Sequence, residues 1–499
     1  MKDLIALKDI QLNYELFSKF LTEDLEISLD EITRARLNQN HSYLLKHVQS
    51  DRKIYGINTG FGKNVSSTVS GDLAGLQKNL ALYLDCAQGE WLPERTSRLI
   101  FLVRIKQASF SGSAIRSESL SYLIDLFNAG ISPIVPTLGS LGASGDLVTM
   151  APMARLLFDE EVSCWHGGAV VSLANALKET KIKIPGADGR DCLALMNGLA
   201  AAATLAMTEI LKINHLLNIS LNSMGLCKLA LGANQESESE ILNSEPVRNF
   251  SGQKLIADSL RRLYVGAGSG RKAHLQDAYA LRCIPQFMGP VIETSRLSSQ
   301  WILQELSSMS DNPYIAIDDV INGGNFYGGY LAQASDLMAT NMAKVAELLD
   351  RQTFHLVGGQ YNLPENLIQQ NPEASFHGLK GVHQLSNSLL MKIQPQATSY
   401  SLATRSSEMH NQDVVSNCMN GWLRVMQLRS DFETLLSCHL VLTAQAKDLA
   451  QVSVSALSEL VASVRENVPF INKDQSLREP LKKLKDSLYQ IKSEGPFSL

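Results

Sequence analysis

Hydrophobic and polar positions divide the chain into two kinds of sequence. No proline occurs within residues 186–245, 314–363 or 396–468, and in these windows apolar residues recur at helical spacing. Met338, Met342, Val345 and Leu349 follow one another at steps of four, three and four, which places them on one helix face. Ser335-Asp336 just ahead predicts the start of that helix. Trp422, Val425, Leu428, Phe432 and Leu435 mark a second long stripe. Both stripes read as buried seams between helices, and long helices without strand-like alternation predict a bundle.

The first 190 residues are richer in loops, with Gly60, Gly62, Gly71, Gly139, Gly142 and Gly145 set among polar residues. The expected division is a loop-rich domain over 1–200 and a long-helix domain over 201–499. Cys192 to Met207 is the most apolar run, but it contains Asn197 and Thr204 and falls short of a bilayer span; a buried helix is expected there. The tail from Pro469, with Lys482, Lys483 and Lys485, predicts a solvated amphipathic helix. The pattern predicts a mainly α protein.

Composition narrows the function. In 499 residues, 45 Lys+Arg stand against 50 Asp+Glu, a net charge of −5. So slight an acidic balance, with no basic run, disfavours binding to nucleic acid. A chain this long can bury a large core without disulfides or metal. Seven cysteines form no CxxC pair, and their odd number points to a reduced, cytoplasmic protein. The start, Met1-Lys2-Asp3-Leu4-Ile5, is interrupted by charge and does not read as a signal peptide. Ten histidines contain no HxxH or HExxH pair, so no metal site is expected. Gly266-Ala267-Gly268-Ser269-Gly270-Arg271-Lys272 has no preceding strand and no Ser or Thr after Lys272. It reads as a mobile active-site loop rather than a nucleotide loop.

The segment that carries chemistry is Gly139-Ser140-Leu141-Gly142-Ala143-Ser144-Gly145-Asp146. A nucleophile elbow needs G-x-S-x-G, but Gly145 follows Ser144 directly. A phosphate loop is equally absent. A third chemistry suits Ala-Ser-Gly. In a tight bend the Gly145 nitrogen can attack the Ala143 carbonyl carbon, and loss of two waters leaves a five-membered methylidene-imidazolone. Its exposed electrophilic CH₂ is the former Ser144 Cβ. Gly145 offers no side chain to obstruct the bend, Ser144 supplies the hydroxyl that leaves, and Ala143 is small.

With this segment the chain resembles the aromatic amino acid ammonia-lyase family, including histidine, phenylalanine and tyrosine lyases and related aminomutases. The resemblance runs from Tyr55 to about Ser416 through Tyr55-Gly56-Ile57-Asn58-Thr59-Gly60-Phe61-Gly62, Asn197-Gly198 and Gln276-Asp277-Ala278-Tyr279-Ala280-Leu281-Arg282. It continues through Ser310-Asp311-Asn312-Pro313, Gly323-Gly324-Asn325-Phe326 and Glu408-Met409-His410-Asn411-Gln412-Asp413. It departs at Leu199, where the family usually has Thr. The resemblance implies that Tyr55 takes the β-proton and that Arg282 holds the substrate carboxylate by its two-pronged geometry. It also implies that Asn197, Gln276, Tyr279, Asn312 and Phe326 line or polarise the prosthetic group, and that Glu408 lies near the amine. A free phenol has a pKa of about 10, so a base at Tyr55 calls for a nearby positive charge or donor. The resemblance further implies a homotetramer of long central helices, with each active site combining residues of three subunits.

Two positions bear on the substrate. Histidine and tyrosine lyases typically carry Ser-His where this chain has Tyr83-Leu84, and phenylalanine lyases often carry Phe-Leu. A leucine leaves a buried phenol or imidazole unpaired, at about 1–3 kcal/mol. Gln412 stands where histidine lyases would carry Glu and resembles the form of phenylalanine and tyrosine lyases, while Lys380 in Gly378-Leu379-Lys380-Gly381 resembles the phenylalanine type. The expected reaction is therefore L-phenylalanine to trans-cinnamate and ammonia. Tyrosine or histidine lyase, an aromatic 2,3-aminomutase and an idle helical scaffold are the alternatives.

Overall fold

A computed structural model describes residues 4–50, 53–62, 72–110, 112–267, 274–359, 361–370, 375–493 and 495–498. The glycine-rich loop expected to be mobile lies outside the described residues from Gly268 onward. Seventeen α-helices carry the described fold, and the strands form four small sheets of two or three strands each. The mainly α class expected from the sequence is what the chain adopts.

Contacts divide the chain into two compact units. The first comprises Met1–Thr208, Gln300–Ser335 and Ser399–Leu423; the second comprises Glu209–Ser299, Asp336–Thr398 and Arg424–Leu499. A contiguous division at residue 200 does not provide for the two later stretches of the first unit. Long-range hydrogen bonds hold those stretches there: Ser310 Oγ accepts the Leu199 amide at 3.2 Å, and the Asn420 side-chain amide donates to the Ser140 carbonyl at 3.1 Å.

In the first unit, Gln88–Trp91 pairs antiparallel with Pro136–Leu138, the strand that leads into Gly139. The short hairpin Tyr314–Ile315/Val320–Ile321 follows Asn312. The apolar run at 192–207 is buried, but it is not one helix. It comprises the helix Asp191–Met196 and the start of the helix Ala200–Leu231, with a break at Asn197-Gly198-Leu199. Gly198 has φ +137, outside any helix. The break leaves the first amides of the long helix without intrahelical partners, available to another part of the chain.

Met338, Met342, Val345 and Leu349 are fully buried, as their spacing predicts. Their helix nevertheless runs from Gly329 to Val357, so Ser335-Asp336 does not start it. Ser335 Oγ donates to the Ala332 carbonyl at 2.7 Å, inside the helix, which removes it from capping duty. The stripe from Trp422 to Leu435 is fully buried within Cys418–Leu449. In the second unit the tail helix Arg478–Ser487 buries Leu481 and Leu484 and leaves Lys482 and Lys483 exposed. Lys228 and Glu238 form a fully buried ion pair there at 2.7 Å.

All seven cysteines are free. Among the described residues, no helix is long and apolar enough to cross a membrane, and no group of three or more His, Cys, Asp or Glu side chains could hold a metal ion.

Candidate active site

The Ala-Ser-Gly segment lies in the turn between the strand Pro136–Leu138 and the helix Leu147–Arg155. Gly145 has φ +74, and a Cβ there would stand 1.9 Å from the Gly198 carbonyl oxygen. Only glycine allows both that backbone angle and that approach. Gly145 forms a parallel bridge with Gly198, and the Asp146 amide donates to the Gly198 carbonyl at 2.9 Å. The Asp146 carboxylate accepts the Ala202 amide at 2.9 Å and the Ser140 hydroxyl at 3.0 Å. It thereby caps the positive end of the long helix that starts at Ala200. Burial pushes the Asp146 carboxyl up to about 6, against the hydrogen bonds from Ala202 and Ser140. On the other side, the Asn417 amide donates to the Leu141 carbonyl at 3.0 Å and Ser416 Oγ donates to the Gly142 carbonyl at 3.1 Å. The turn is held from both flanks.

Ser144 is met at both of its oxygens. The Asn197 side-chain amide donates to the Ser144 carbonyl at 3.2 Å, and the Gln412 side-chain amide donates to the Ser144 hydroxyl at 3.3 Å. Asn197 Oδ1 accepts the Asn312 amide at 2.6 Å, and Asn312 Oδ1 accepts the Gly323 amide at 2.8 Å. Behind this row Arg104 pairs with Asp311 at 2.7 Å, both about 1% exposed, and Arg190 stands 3.6 Å from the same carboxylate. Arg104 Nε also donates to the Ala194 carbonyl at 2.9 Å. The ion cluster thus ties the segment carrying Asn312 to the helix Asp191–Met196, which Asn197 follows. These residues fit a methylidene-imidazolone. Cyclisation would make the Ser144 carbonyl the ring carbonyl, where Asn197 already donates. It would expel the hydroxyl that Gln412 contacts, and Gly145 has no Cβ in the way.

Beside this turn lies a cavity of about 750 Å³, within the range of small-molecule sites. Tyr55 lines it, its hydroxyl accepting the Gly62 amide at 3.1 Å. Burial raises the Tyr55 phenol above its usual value of 10; the Gly62 hydrogen bond pulls it down and the nearby Glu408 charge pushes it further up. A backbone amide donates to Tyr55, but burial outweighs it, so the shift towards phenolate expected of a base is not seen. Gly62 also makes room for Glu408: a Cβ there would fall 1.3 Å from Glu408 Oε1. Glu408, Met409 and His410 adopt φ of 49, 53 and 67, a left-handed run that costs about 1–3 kcal/mol per residue. It is closed by the Ser407 amide donating to the Gln412 carbonyl at 2.9 Å and by Ser407 Oγ donating to Gln412 Oε1 at 2.8 Å. Tyr83 and Leu84 come from the end of the helix Leu73–Leu84. Leu80, Leu141, Leu193 and Val414 extend the apolar wall.

Of the residues singled out in the sequence, Tyr55, Tyr83, Leu84, Ala143, Ser144, Gly145, Asn197, Asn312, Phe326, Glu408 and Gln412 line this one cavity, all within the first unit. Gln276, Tyr279 and Arg282 belong to the second unit and are not among its lining residues. Tyr279 is 71% exposed, and the Arg282 guanidinium packs over its ring at 4.8 Å. Lys380 opens the helix Lys380–Gln396, also in the second unit. Asn411 and Asp413, quoted in the Glu408 motif without a role, line the cavity as well, and Lys53, Asn322 and Tyr327, which the sequence analysis missed, join them. The only signal of these three was their place within two residues of a motif.

The family model for aromatic amino acid lyase matches residues 12–467. The histidine ammonia-lyase of Legionella pneumophila (strain Paris) is 28% identical, with 98% of this chain and 97% of the relative covered. That of Vibrio vulnificus (strain CMCP6) is 29% identical over 92% of this chain and 91% of the relative. Among solved structures, the tyrosine aminomutase from Streptomyces globisporus superposes with a TM-score of 0.90 at 23% identity, covering 98% of this chain and 97% of that one. With the family model spanning nearly the whole sequence, this chain belongs to the aromatic amino acid lyase family and is a carbon–nitrogen lyase.

Proposed function

We propose that the enzyme eliminates ammonia from L-phenylalanine to give trans-cinnamate, as a homotetramer with active sites shared between copies. The observation that carries the substrate is Leu84 in the cavity wall with Leu80, Leu193 and Val414; a polar ring there would lose its hydrogen bonds to water without replacement. A methylidene-imidazolone formed from Ala143, Ser144 and Gly145 supplies the electrophile that activates the amine for departure. The remaining work falls to side chains. Asn197 donates to the Ser144 carbonyl and polarises it. Tyr55 accepts the β-proton, the Gly62 amide stabilising its phenolate. Glu408 lies beside Tyr55 and faces the substrate amine. Arg282, with Gln276 and Tyr279 of a neighbouring copy, holds the carboxylate. In support, Arg282 Nε is buried without a hydrogen-bond partner among the described residues, and none of the three lines the cavity of its own chain. The seven free cysteines support a cytoplasmic setting.

A second reading, tyrosine or histidine as substrate, is favoured by the Tyr83 hydroxyl in the cavity wall and by the histidine ammonia-lyases among the relatives. Incubation with L-phenylalanine, L-tyrosine and L-histidine separates the readings through the arylacrylate absorbance and free ammonia. A β-amino acid product would instead indicate an aminomutase. Ser144→Ala is expected to abolish turnover while leaving the tetramer intact, and wild-type-like turnover would refute its role.

A further inference from the structure

We propose that His439 is a positioning residue for the turn that carries Arg282, acting through Gln352 on the Ala280 carbonyl. The inference rests on the reading that Arg282 holds the substrate carboxylate. His439 Nε2 lies 3.0 Å from Gln352 Oε1, and Gln352 Nε2 lies 2.8 Å from the Ala280 carbonyl oxygen. At the other end His439 Nδ1 lies 2.7 Å from Ser223 Oγ and 3.4 Å from Thr443 Oγ1. All four side chains are fully buried, within the second unit.

The direction of the relay follows from what each atom can do. A carbonyl only accepts, so Gln352 turns its amide nitrogen to Ala280 and presents its oxygen to His439. That oxygen also only accepts, so His439 carries its proton on Nε2. The neutral ring then offers Nδ1 as an acceptor, and the Ser223 hydroxyl donates to it. Burial pushes the His439 ring down to about 3, so it remains neutral and keeps this tautomer at physiological pH. A row of polar side chains inside a helical core costs desolvation that apolar residues would avoid. This row delivers one directed donor to the short helix Tyr279–Arg282. The same turn is anchored by Leu281, fully buried, and by Asp277, which accepts the Asn234 amide at 2.6 Å. Three attachments around Arg282 fix the backbone that carries its side chain.

The test compares two inhibitors of the full-length enzyme: trans-cinnamate, which has the carboxylate, and 2-phenylethylamine, which lacks it. Gln352→Leu, His439→Leu and Arg282→Met are each expected to weaken trans-cinnamate about tenfold and 2-phenylethylamine less than about twofold, with KM rising more than kcat falls. His439→Gln is expected to recover most of the loss, because its amide can accept from Ser223 and donate to Gln352. If Arg282→Met is selective for the carboxylate and Gln352→Leu weakens both inhibitors equally, or neither, the relay is refuted while the carboxylate reading stands. If Arg282→Met is itself unselective, the carboxylate reading fails and the inference falls with it. Should Gln352→Leu not fold, Ser223→Ala removes only the far hydroxyl. A selective loss of about threefold supports the relay, and none overturns it.

Discussion

Replacing Gly145 with alanine tests how tightly the reactive segment is held, and Gly167 provides the matched control. Both glycines have positive φ, +74 and +60. Around Gly167, in the turn between the strands Ser163–His166 and Ala169–Ser172, a new Cβ meets nothing within 4 Å. Gly167→Ala therefore carries only the left-handed penalty of about 1–2 kcal/mol, reduced by the lower entropy of the unfolded chain, about 0.4–1 kcal/mol. The net cost is about 1 kcal/mol. At Gly145 the new Cβ falls 1.9 Å from the Gly198 oxygen and 2.4 Å from its carbonyl carbon. Backbone cannot rotate away as a side chain does, so overpacking adds about 1–3 kcal/mol. Moving the two segments apart also breaks the buried Asp146–Gly198 hydrogen bond, for about 1–3 kcal/mol more. Gly145→Ala should therefore cost about 2–6 kcal/mol beyond its control. The same shift moves the Ser144 carbonyl away from Asn197, so the cyclised segment should not form. Denaturant midpoints, intact mass (the loss of two waters) and arylacrylate formation measure the three consequences. A Gly145→Ala protein that unfolds with its control and still loses two waters would refute the reasoning.

Other consequences can be checked separately. Asn197→Leu removes the donor to the Ser144 carbonyl and the acceptor of the Asn312 amide; a stability loss of about 2–5 kcal/mol and strongly reduced turnover are expected, read by denaturation and by ammonia release. Leu84→His places a hydrogen-bonding ring in the apolar wall and should shift the turnover ratio from phenylalanine towards tyrosine; an unchanged ratio removes the argument for phenylalanine. His439 has its folded pKa depressed from 6.5 to about 3 by burial, so the stability tied to its neutral form is complete above pH 6.5 and is lost as pH falls towards 3. At about 1.4 kcal/mol per unit this amounts to about 5 kcal/mol. In His439→Gln that part of the acid destabilisation should disappear, and midpoints measured from pH 7 to 4 in both proteins check it.

The buried stripes around Met338 and Trp422 were legible because large apolar residues recur there at helical spacing, whatever the other faces carry. The break at Asn197–Leu199 was not, because a segment buried on every side has no polar phase to mark where it bends. The true helix start at Gly329 was hidden for a related reason: Ser335 has the chemistry of a cap but spends its hydroxyl on a carbonyl within the helix. The motif residues were legible as types and order, but their partition was not. Nothing local in the sequence separates Tyr55 and Glu408, which share a cavity, from Arg282, which stands in the other unit.

By itself the sequence determined what the chain can become chemically. Ala143, Ser144 and Gly145 are adjacent, and their capacity to cyclise depends on bonds and side-chain sizes that no fold alters. Only the tertiary structure decided whether that capacity is held ready. The approach of Gly198 to Gly145, the meeting of Asn197 and Gln412 at Ser144, the donor that Gly62 gives Tyr55 and the relay through His439 all join partners distant along the chain or set by backbone angle. Hydrogen bonds of that kind have no period or spacing in one dimension, so they enter only when packing brings their atoms within about 3 Å.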